Sequence, residues 1–203
     1  MARPLILGIG GTTRPASSSE RALSVSLRAA EKEGAEIELI DGPSLILPMY
    51  APGGANFNDS TRHLVDAFRR CDGLIISTPA YHGSISGVIK NALDYVEELR
   101  TDTRVYLDGI AVGCIASAGG WQAAGQTLTA LRSIAHALRG WPTPLGAMLN
   151  TSLPIFDDDG NCTDINAAFQ LESVGQQVTR FALMARSGGH LATVALPLRA
   201  ALG

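Results

Sequence analysis

The stretch Pro4-Leu5-Ile6-Leu7-Gly8-Ile9 is followed closely by Gly11-Thr12-Thr13-Arg14-Pro15-Ala16-Ser17-Ser18-Ser19-Glu20. The first part is short and apolar, which predicts a buried β-strand, and Ser17-x-x-Glu20 is a capping-box pattern that predicts the start of a helix. The loop between them supplies hydroxyl groups, helix N–H groups and one arginine, all of which bind anions. We therefore predict a phosphate site in this loop. The alternative is a plain capped turn rich in serine and threonine.

Strand and helix patterns alternate along the chain after this loop. Short apolar or alternating runs predict five strands, at residues 4–9, 36–40, 73–79, 109–116 and 144–149. Segments with apolar residues at helical spacing separate these runs, and a fifth such segment follows the last one. The third strand is predicted to stop at Pro79. Five strands alternating with five helices predict an α/β fold, a doubly wound five-stranded parallel sheet with helices on both faces.

Three loops of this fold are candidates for a ligand site. In doubly wound sheets, ligands bind beyond the carboxyl ends of the strands, and residues 11–19, 79–86 and 117–122 follow the first, third and fourth strands. The second and third of these loops combine glycine, free backbone N–H groups and aromatic side chains. Glycine lets the backbone approach a flat ring, and the N–H groups bind its heteroatoms. The sequence therefore predicts a phosphate at one end of the site and a planar ring at the other.

Composition limits the classes of partner. The chain has 203 residues, of which 46% are hydrophobic and 17% charged, with a formal net charge of −3. These values predict one domain over residues 1–203 that binds a small molecule, because nucleic acid and anionic membranes both need a concentrated basic surface. The first strand begins close to Met1 and no apolar run approaches membrane-spanning length, so we expect a cytoplasmic protein.

The cysteines and histidines do not form a metal-binding pattern. The three cysteines are far apart, without a C-x-x-C pair, and the four histidines are scattered, so we predict no metal site. Cys114 lies inside a predicted strand and is interpreted as a core residue rather than a nucleophile. The irregular segment 41–58 is long for a loop in a compact domain, and Pro48-Met49-Tyr50 is either a wall of the site or part of a surface loop.

Several of these stretches resemble the NAD(P)H-dependent FMN reductase family of flavodoxin-like proteins. Gly11-Thr12-Thr13-Arg14, with the serines that follow, resembles the family's G-S-x-R phosphate loop, with threonine in place of serine. Residues 78–94, TPAYHGSISGVIKNALD, are similar to the family's T-P-x-Y-x-x-S-x-x-G-x-x-K-N-x-x-D and are the more specific match. Ser117-Ala118-Gly119-Gly120 resembles the loop beside the flavin ring, and Leu47-Pro48-Met49-Tyr50 the family's L-P-x-Y run.

The resemblance implies a flavodoxin-like, three-layer α/β/α fold and an FMN-dependent oxidoreductase with NADPH or NADH as the electron donor. Its acceptor would be a flavin or a quinone-like molecule, and it implies no catalytic side chain, because the flavin carries the chemistry. It implies three groups of FMN-binding residues: Thr12, Arg14, Ser17 and Ser19 for the phosphate; Pro79, Ala80, Tyr81, His82, Gly83 and Ser84 for the ribityl chain and ring; and Ser117, Ala118, Gly119, Gly120 and Trp121 for the ring edge.

Other interpretations stay open at the level of sequence. Ala80 and His82 stand where many relatives carry glutamate and asparagine, and His82 either packs at the rim or contacts flavin or substrate. The alternatives are a reductase, with supply of reduced flavin to a monooxygenase as one use; a flavoenzyme specialised for one metabolite; a flavodoxin-type electron carrier; and a flavin-bearing structural or regulatory partner. The resemblance also implies a homodimer or homotetramer. The apolar tail 187–203 is predicted to cover a neighbouring subunit or its own core edge.

Overall fold

The computed structural model describes residues 2–54 and 57–187. The predicted tail lies outside the described residues, apart from Ser187. Two short 3₁₀ turns, Gly42–Leu45 and Tyr95–Leu99, accompany the regular elements. The strands and α-helices are β1 Leu5–Gly10, α1 Ser18–Lys32, β2 Glu36–Asp41, α2 Asp59–Arg70, β3 Gly73–Tyr81, β4 Ser84–Ile85, α3 Gly87–Asp94, β5 Ala111–Ala118, α4 Trp121–Ala137, β6 Trp141–Pro142, β7 Ala147–Asn150 and α5 Ile165–Ser187.

One mostly parallel sheet organises these elements in the order β2-β1-β3-β5, with β6 and β7 both paired to the far side of β5. The chain runs from β1 outward to β2, and then crosses back to β3 on the other side of β1. The direction of strand addition therefore reverses between β1 and β3, which is the position where doubly wound sheets bind their ligands.

Helices cover both faces of the sheet, as predicted. On one face, α1 and α5 pack against side chains such as Ile6 and Ile75, and on the other face α2, α3 and α4 pack against side chains such as Leu7 and Ile76. Glycines let the helices of the first face lie close to the strands: a Cβ atom on Gly8 would lie 2.6 Å from Leu27, and one on Gly113 2.6 Å from Val174. The two apolar layers form the core and hold each strand, and therefore its carboxyl end, in a fixed position.

The fifth predicted strand is interrupted. Instead of one strand at 144–149, the structure has β6, which pairs with the start of β5, and β7, which pairs with its end. Thr143 continues the ladder by donating its N–H to the carbonyl of Val112 at 3.0 Å, but Leu145, the next residue to face β5, donates its N–H to Oε1 of Gln177 at 3.1 Å instead. With the β4 strand, this division gives seven strands in residues 2–54 and 57–187, against the predicted five.

The third strand does not stop at Pro79, which corrects the sequence prediction. β3 runs on to Tyr81 and turns into β4 through a hairpin. The carbonyl of Ser77 accepts the N–H of Gly11 at 3.3 Å, so Ser77 directs its backbone groups toward β1. Pro79 is two residues further and faces the same side, beyond the end of β1 at Gly10. The missing N–H of the proline therefore has no strand to bind, and the strand tolerates it.

None of the helices in the described part of the chain is long and apolar enough to span a membrane.

Candidate functional site

The loop between β1 and α1 is a tight turn at the switch point of the sheet. Gly11 and Ala16 have φ values of 93° and 55°, and both values lie in the left-handed region. The hydroxyl of Thr12 accepts the N–H of Arg14 at 3.0 Å, which folds the loop back on itself. The Arg14 side chain is exposed and makes no hydrogen bond or ion pair with another described residue. The predicted phosphate loop therefore has a fixed backbone and an available guanidinium group.

The start of α1 is capped as predicted, but only by half of a capping box. Ser17 is the N-cap, and its Oγ accepts the N–H of Glu20 at 3.3 Å. The Ser19 hydroxyl lies 3.3 Å from that of Ser17, and both residues are buried. The structure shows no return bond from the Glu20 side chain to the backbone of Ser17, and Oε2 of Glu20 is buried without a hydrogen-bond partner in the described part of the chain. The free N–H groups and dipole of α1 face the loop.

The second predicted loop is a two-residue β-hairpin. Tyr81 pairs with Ser84, and the two residues between them, His82 and Gly83, have φ values of 50° and 86°. Positive φ at both central residues defines a type I′ turn, for which asparagine followed by glycine is preferred. Thr127 of α4 donates its hydroxyl to the Ser84 carbonyl at 3.3 Å, which holds the hairpin against α4. Histidine therefore occupies a position of backbone strain at the tip of this hairpin.

The third loop contains a buried hydroxyl group that the fold leaves unpaired. Ser117 is 4% exposed, and its Oγ has no hydrogen-bond partner among the described residues. Ser117 lies opposite Pro79 in the sheet, at the carboxyl end of β5. An unpaired buried hydroxyl costs about 1–3 kcal/mol, so its presence at a strand end indicates a polar ligand.

The two glycines after Ser117 have no structural requirement for glycine. A Cβ atom on Gly119 or Gly120 would meet nothing within 4 Å, and neither φ lies in the left-handed region. Gly120 is the N-cap of α4 and provides no side chain to bind the first N–H groups of that helix. Ala118 is buried, whereas Trp121, the first residue of α4, is exposed. The loop therefore presents open space and unpaired N–H groups at the sheet edge.

Adjacent strands bring the three loops together, as the sequence predicts. β1, β3 and β5 are neighbours and parallel, so the phosphate loop, the hairpin and residues 117–121 all lie at one edge of the sheet. The same edge carries none of the features of a metal centre: the described residues contain no cluster of three or more histidine, cysteine, aspartate or glutamate side chains that would hold a metal ion.

Asn91 holds one side of this edge, a role that the sequence analysis missed. Asn91 is 6% exposed; its Oδ1 accepts the N–H of Tyr50 at 2.9 Å, and its Nδ2 donates to the carbonyl of Pro48 at 3.0 Å. The hydroxyl of Tyr95 donates to the same carbonyl at 2.9 Å. The K-N-x-x-D run was the available signal, but only the structure shows that its asparagine binds a loop 41 residues away.

The loop held by Asn91, residues 42–50, crosses from the loop between β1 and α1 to α3. A Cβ atom on Gly42, at its start, would lie 3.6 Å from the carbonyl oxygen of Thr12. The hydroxyl of Tyr50, at its end, donates to Glu98 at 2.9 Å. Burial and the hydrogen bond to Glu98 raise the pKa of Tyr50 to about 12, so this bond is intact at neutral pH. The segment is thus a fixed border of the sheet edge.

Comparison with known proteins decides the family. The profile of the NADPH-dependent FMN reductase family matches residues 4–152, which include β1 to β7 and all three loops. The chain belongs to this family. The family's reaction is the transfer of electrons from a reduced nicotinamide nucleotide by way of FMN, so the protein is an FMN-dependent oxidoreductase with NAD(P)H as the electron donor.

Individual relatives agree with this assignment. An FMN-dependent NADPH-azoreductase of Staphylococcus aureus is 28% identical over 171 residues, which cover 83% of this chain and 87% of the azoreductase. Among solved structures, the flavoenzyme NAD(P)H:(acceptor) oxidoreductase FerB of Paracoccus denitrificans has a TM-score of 0.74 at 21% identity, covering 89% of this chain and 98% of FerB. RosB has a TM-score of 0.73 at 17% identity, covering 91% of this chain and 81% of RosB. These structures confirm the flavodoxin-like fold.

The residues at the sheet edge fit the FMN of this reductase family. The α1 N-terminus and Arg14 suit a phosphate dianion, because helix N–H groups and a guanidinium fork both bind phosphate oxygens. Ser117 offers an unpaired buried hydroxyl, and the glycine pair after it leaves room for a flat ring. Cys114 lies nearby on β5 but takes no part, because burial raises the pKa of its thiol to about 12 and keeps it neutral. This supports its interpretation as a core residue.

Proposed function

We propose that the protein binds FMN across the three loops and passes electrons from NADPH or NADH to a small planar acceptor, a flavin or a quinone. The observation that carries the proposal is a buried hydroxyl group, Ser117 Oγ, that has no partner in the described part of the chain and lies at the edge of the sheet that the three loops share. A ligand with a phosphate at one end and a polar ring at the other suits the α1 N-terminus and the end of β5, and FMN has that chemistry.

The phosphate of FMN is assigned to the first loop. Ser17 and Ser19 close the inner side of the loop at the helix start, and Thr12 shapes the outer side by its bond to the Arg14 backbone. Arg14 would supply positive charge to the phosphate from the exposed side of the loop. Because the serine hydroxyls are buried and the arginine is exposed, the serines orient the phosphate and the arginine neutralises it.

The ring of FMN is assigned to the other two loops. Residues 79–84 and 117–121 present backbone groups from two adjacent strand ends, and the free N–H groups at the start of α4 stabilise negative charge where it develops. FMN held there would supply hydride transfer through its N5 atom. No side chain has to act as acid or base. The nucleotide loses two electrons and one proton, and the acceptor gains two electrons and two protons, the second proton coming from solvent.

Further features of the biological setting belong to the same proposal. We infer a single FMN-binding domain over residues 1–203, a cytoplasmic location and a homodimer or homotetramer. Exposed apolar residues on α5, such as Phe169 and Met184, support self-association. A reductase that accepts free flavin would also supply reduced flavin to a monooxygenase.

Visible spectroscopy tests the proposal directly. The purified protein is loaded with FMN, desalted, and titrated with NADPH and NADH under anaerobic conditions. We expect a retained yellow chromophore that either nucleotide bleaches and that a quinone restores. A protein that retains no FMN, or whose bound FMN stays oxidised with both nucleotides, would refute the proposed reaction.

Replacement of Ser117 by alanine tests the assignment of its hydroxyl. The variant removes an unpaired buried group, so we expect the FMN-free protein to become more stable, while FMN binds about tenfold more weakly through loss of one hydrogen bond. Ser77→Ala is the matched control. Its hydroxyl faces α1 and donates to the Ser19 carbonyl at 2.7 Å, so this variant should lose stability with and without FMN. Equal effects of the two replacements would contradict the assignment.

Arg14 gives a separate test of the phosphate end. Arg14→Ala should weaken binding of FMN about tenfold and leave binding of riboflavin, which lacks the phosphate, unchanged. Isothermal titration of both flavins makes the comparison, and the control variant is Arg28→Ala, further along α1. A parallel loss of affinity for both flavins would place the phosphate elsewhere.

A further inference from the structure

Exposed apolar side chains gather at the edge of the sheet that carries the site. Among the described residues, large apolar side chains that stay exposed follow four of the strand ends at this edge: Ile46 and Met49 after β2, Tyr81 at the end of β3, Trp121 after β5 and Leu153 after β7. Exposed apolar patches of this kind mark binding surfaces. The site therefore opens onto an apolar rim rather than a polar one.

Trp121 is the largest of these side chains, and the fold does not require it. The side chain is 54% exposed at the first position of α4, and no other aromatic ring of the described chain is paired with it. It follows directly on Gly119 and Gly120, where the space beside the backbone is open. A flat indole beside an open slot can stack on a second flat ring, with ring centroids about 4.5–7 Å apart.

The loops after β2 and β3 and the start of α4 carry no fixed charge, whereas the loop after β7 carries Asp157, Asp158 and Asp159, whose negative charges add to the exclusion of anions. Residues 46–50, 79–86 and 117–126 contain no aspartate, glutamate, lysine or arginine, and His82 is their only imidazole. Arg14 lies at the phosphate end of the site. The N–H groups at the start of α4 are assigned above to the FMN ring, so they are not available to a second molecule. An acceptor that enters over Trp121 thus meets apolar and aromatic surface without a counter-charge.

We propose that Trp121 selects the electron acceptor, stacking on planar, uncharged aromatic molecules and disfavouring anionic ones. The inference rests on the proposed function, narrows its acceptor to uncharged molecules and adds the residue that recognises them; the Trp121 side chain faces the acceptor, and only the backbone of Trp121 faces the FMN ring. Desolvation explains the selection: a sulfonate or carboxylate on the acceptor loses water at the apolar rim and gains no paired charge, whereas a neutral quinone ring gains contact with the indole face.

Steady-state kinetics of the FMN-loaded protein with NADPH tests the proposal. The acceptors are 2-methyl-1,4-naphthoquinone, its sulfonated derivative, and ferricyanide, which cannot stack. Trp121→Leu should raise the KM for the neutral naphthoquinone about fivefold to tenfold, and Trp121→Phe, which keeps a flat ring, about twofold. The KM for ferricyanide should change by less than about twofold in both variants, since stacking contributes nothing to it.

Trp141→Leu is the matched control. Trp141 is also about half exposed, at 52%, but it lies on β6, which pairs with the amino-terminal start of β5, at the opposite edge of the sheet. Its ring packs at 5.7 Å from that of Phe181. The replacement should leave the KM for all three acceptors within about twofold of wild type, because the altered ring is remote from the acceptor.

The outcomes separate this inference from the proposed function. If NADPH bleaches bound FMN and Trp121→Leu selectively weakens the neutral quinone, which wild type also prefers over its sulfonated derivative, the inference is confirmed. If bleaching occurs but the three acceptors respond equally to Trp121→Leu, or wild type prefers the sulfonated quinone, the inference is wrong and the proposed function stands. If no bleaching occurs, both are wrong.

Discussion

Replacement of Asn91 by alanine should destabilise the protein through the loop that borders the site. The side chain makes two hydrogen bonds to backbone groups of that loop, at 2.9 Å to the Tyr50 N–H and 3.0 Å to the Pro48 carbonyl, and is almost fully buried. At about 1 kcal/mol for each bond and up to about 1 more for the N–H left unpaired, the free energy of unfolding should fall by about 2–3 kcal/mol. In a domain of this size, that corresponds to a fall in Tm of about 4–12 °C.

Urea denaturation of the wild type and three variants provides the assay. Lys90→Ala is the neighbouring control on α3, where Lys90 forms an exposed ion pair with Asp94, and should cost less than about 1 kcal/mol. Asn91→Asp keeps the acceptor for Tyr50 but sets a carboxylate oxygen against the Pro48 carbonyl. Burial raises the pKa of this aspartate in the folded state, so the variant should regain stability as the pH falls through that pKa. A loss of unfolding free energy below about 1 kcal/mol for Asn91→Ala, or an Asn91→Asp variant whose stability does not depend on pH, would refute the role of Asn91 in holding this loop.

Three other predictions follow from local geometry. His82→Asn should stabilise the protein by about 0.5 kcal/mol in urea denaturation, because asparagine accepts the left-handed backbone better, and His82→Val should destabilise it by more than about 1 kcal/mol; equal effects would contradict the turn assignment. Cys114 should resist labelling by a disulfide reagent at pH 8 until the protein unfolds, since burial raises the pKa of its thiol to about 12, and rapid labelling of it in the native state would show the burial to be wrong. Tyr50 should ionise only near pH 12 in an ultraviolet titration. Its folded pKa lies above the ordinary value of 10.0, so the stability from its bond to Glu98 is present below pH 10 and lost as the pH rises through 12. Tyr50→Phe should remove the absorbance change near pH 12, and an unchanged titration would contradict the bond.

The sequence was sufficient for the features that depend on near neighbours in the chain. Alternating apolar periods predicted the doubly wound sheet, and the Ser17 cap predicted the start of α1 within one residue. The family likeness of residues 78–94 predicted FMN chemistry, which the family match confirms. The individual FMN contacts, such as those of Ala80 and Gly83, remain predictions.

Features that depend on distant partners were not predicted. The hairpin beyond Pro79 depends on the end of β1 at Gly10, which leaves the proline nitrogen without a neighbouring strand. The interruption of the fifth strand depends on its pairing with β5, because β6 pairs with the start of β5 and β7 with its end. A single sequence contains no such register information, because strand pairing is decided between segments many residues apart.

The sequence by itself thus determined the class of fold and the position of the capped loop between β1 and α1, because hydrophobic period and helix capping act over three or four residues. Only the tertiary structure decided that Ser117 is buried without a partner and that Trp121 is left exposed beside open space. It also decided that Asn91 binds a loop 41 residues away. Burial and hydrogen-bond partners depend on which distant parts of the chain pack against a residue in the fold, and the residue's neighbours in sequence do not determine them.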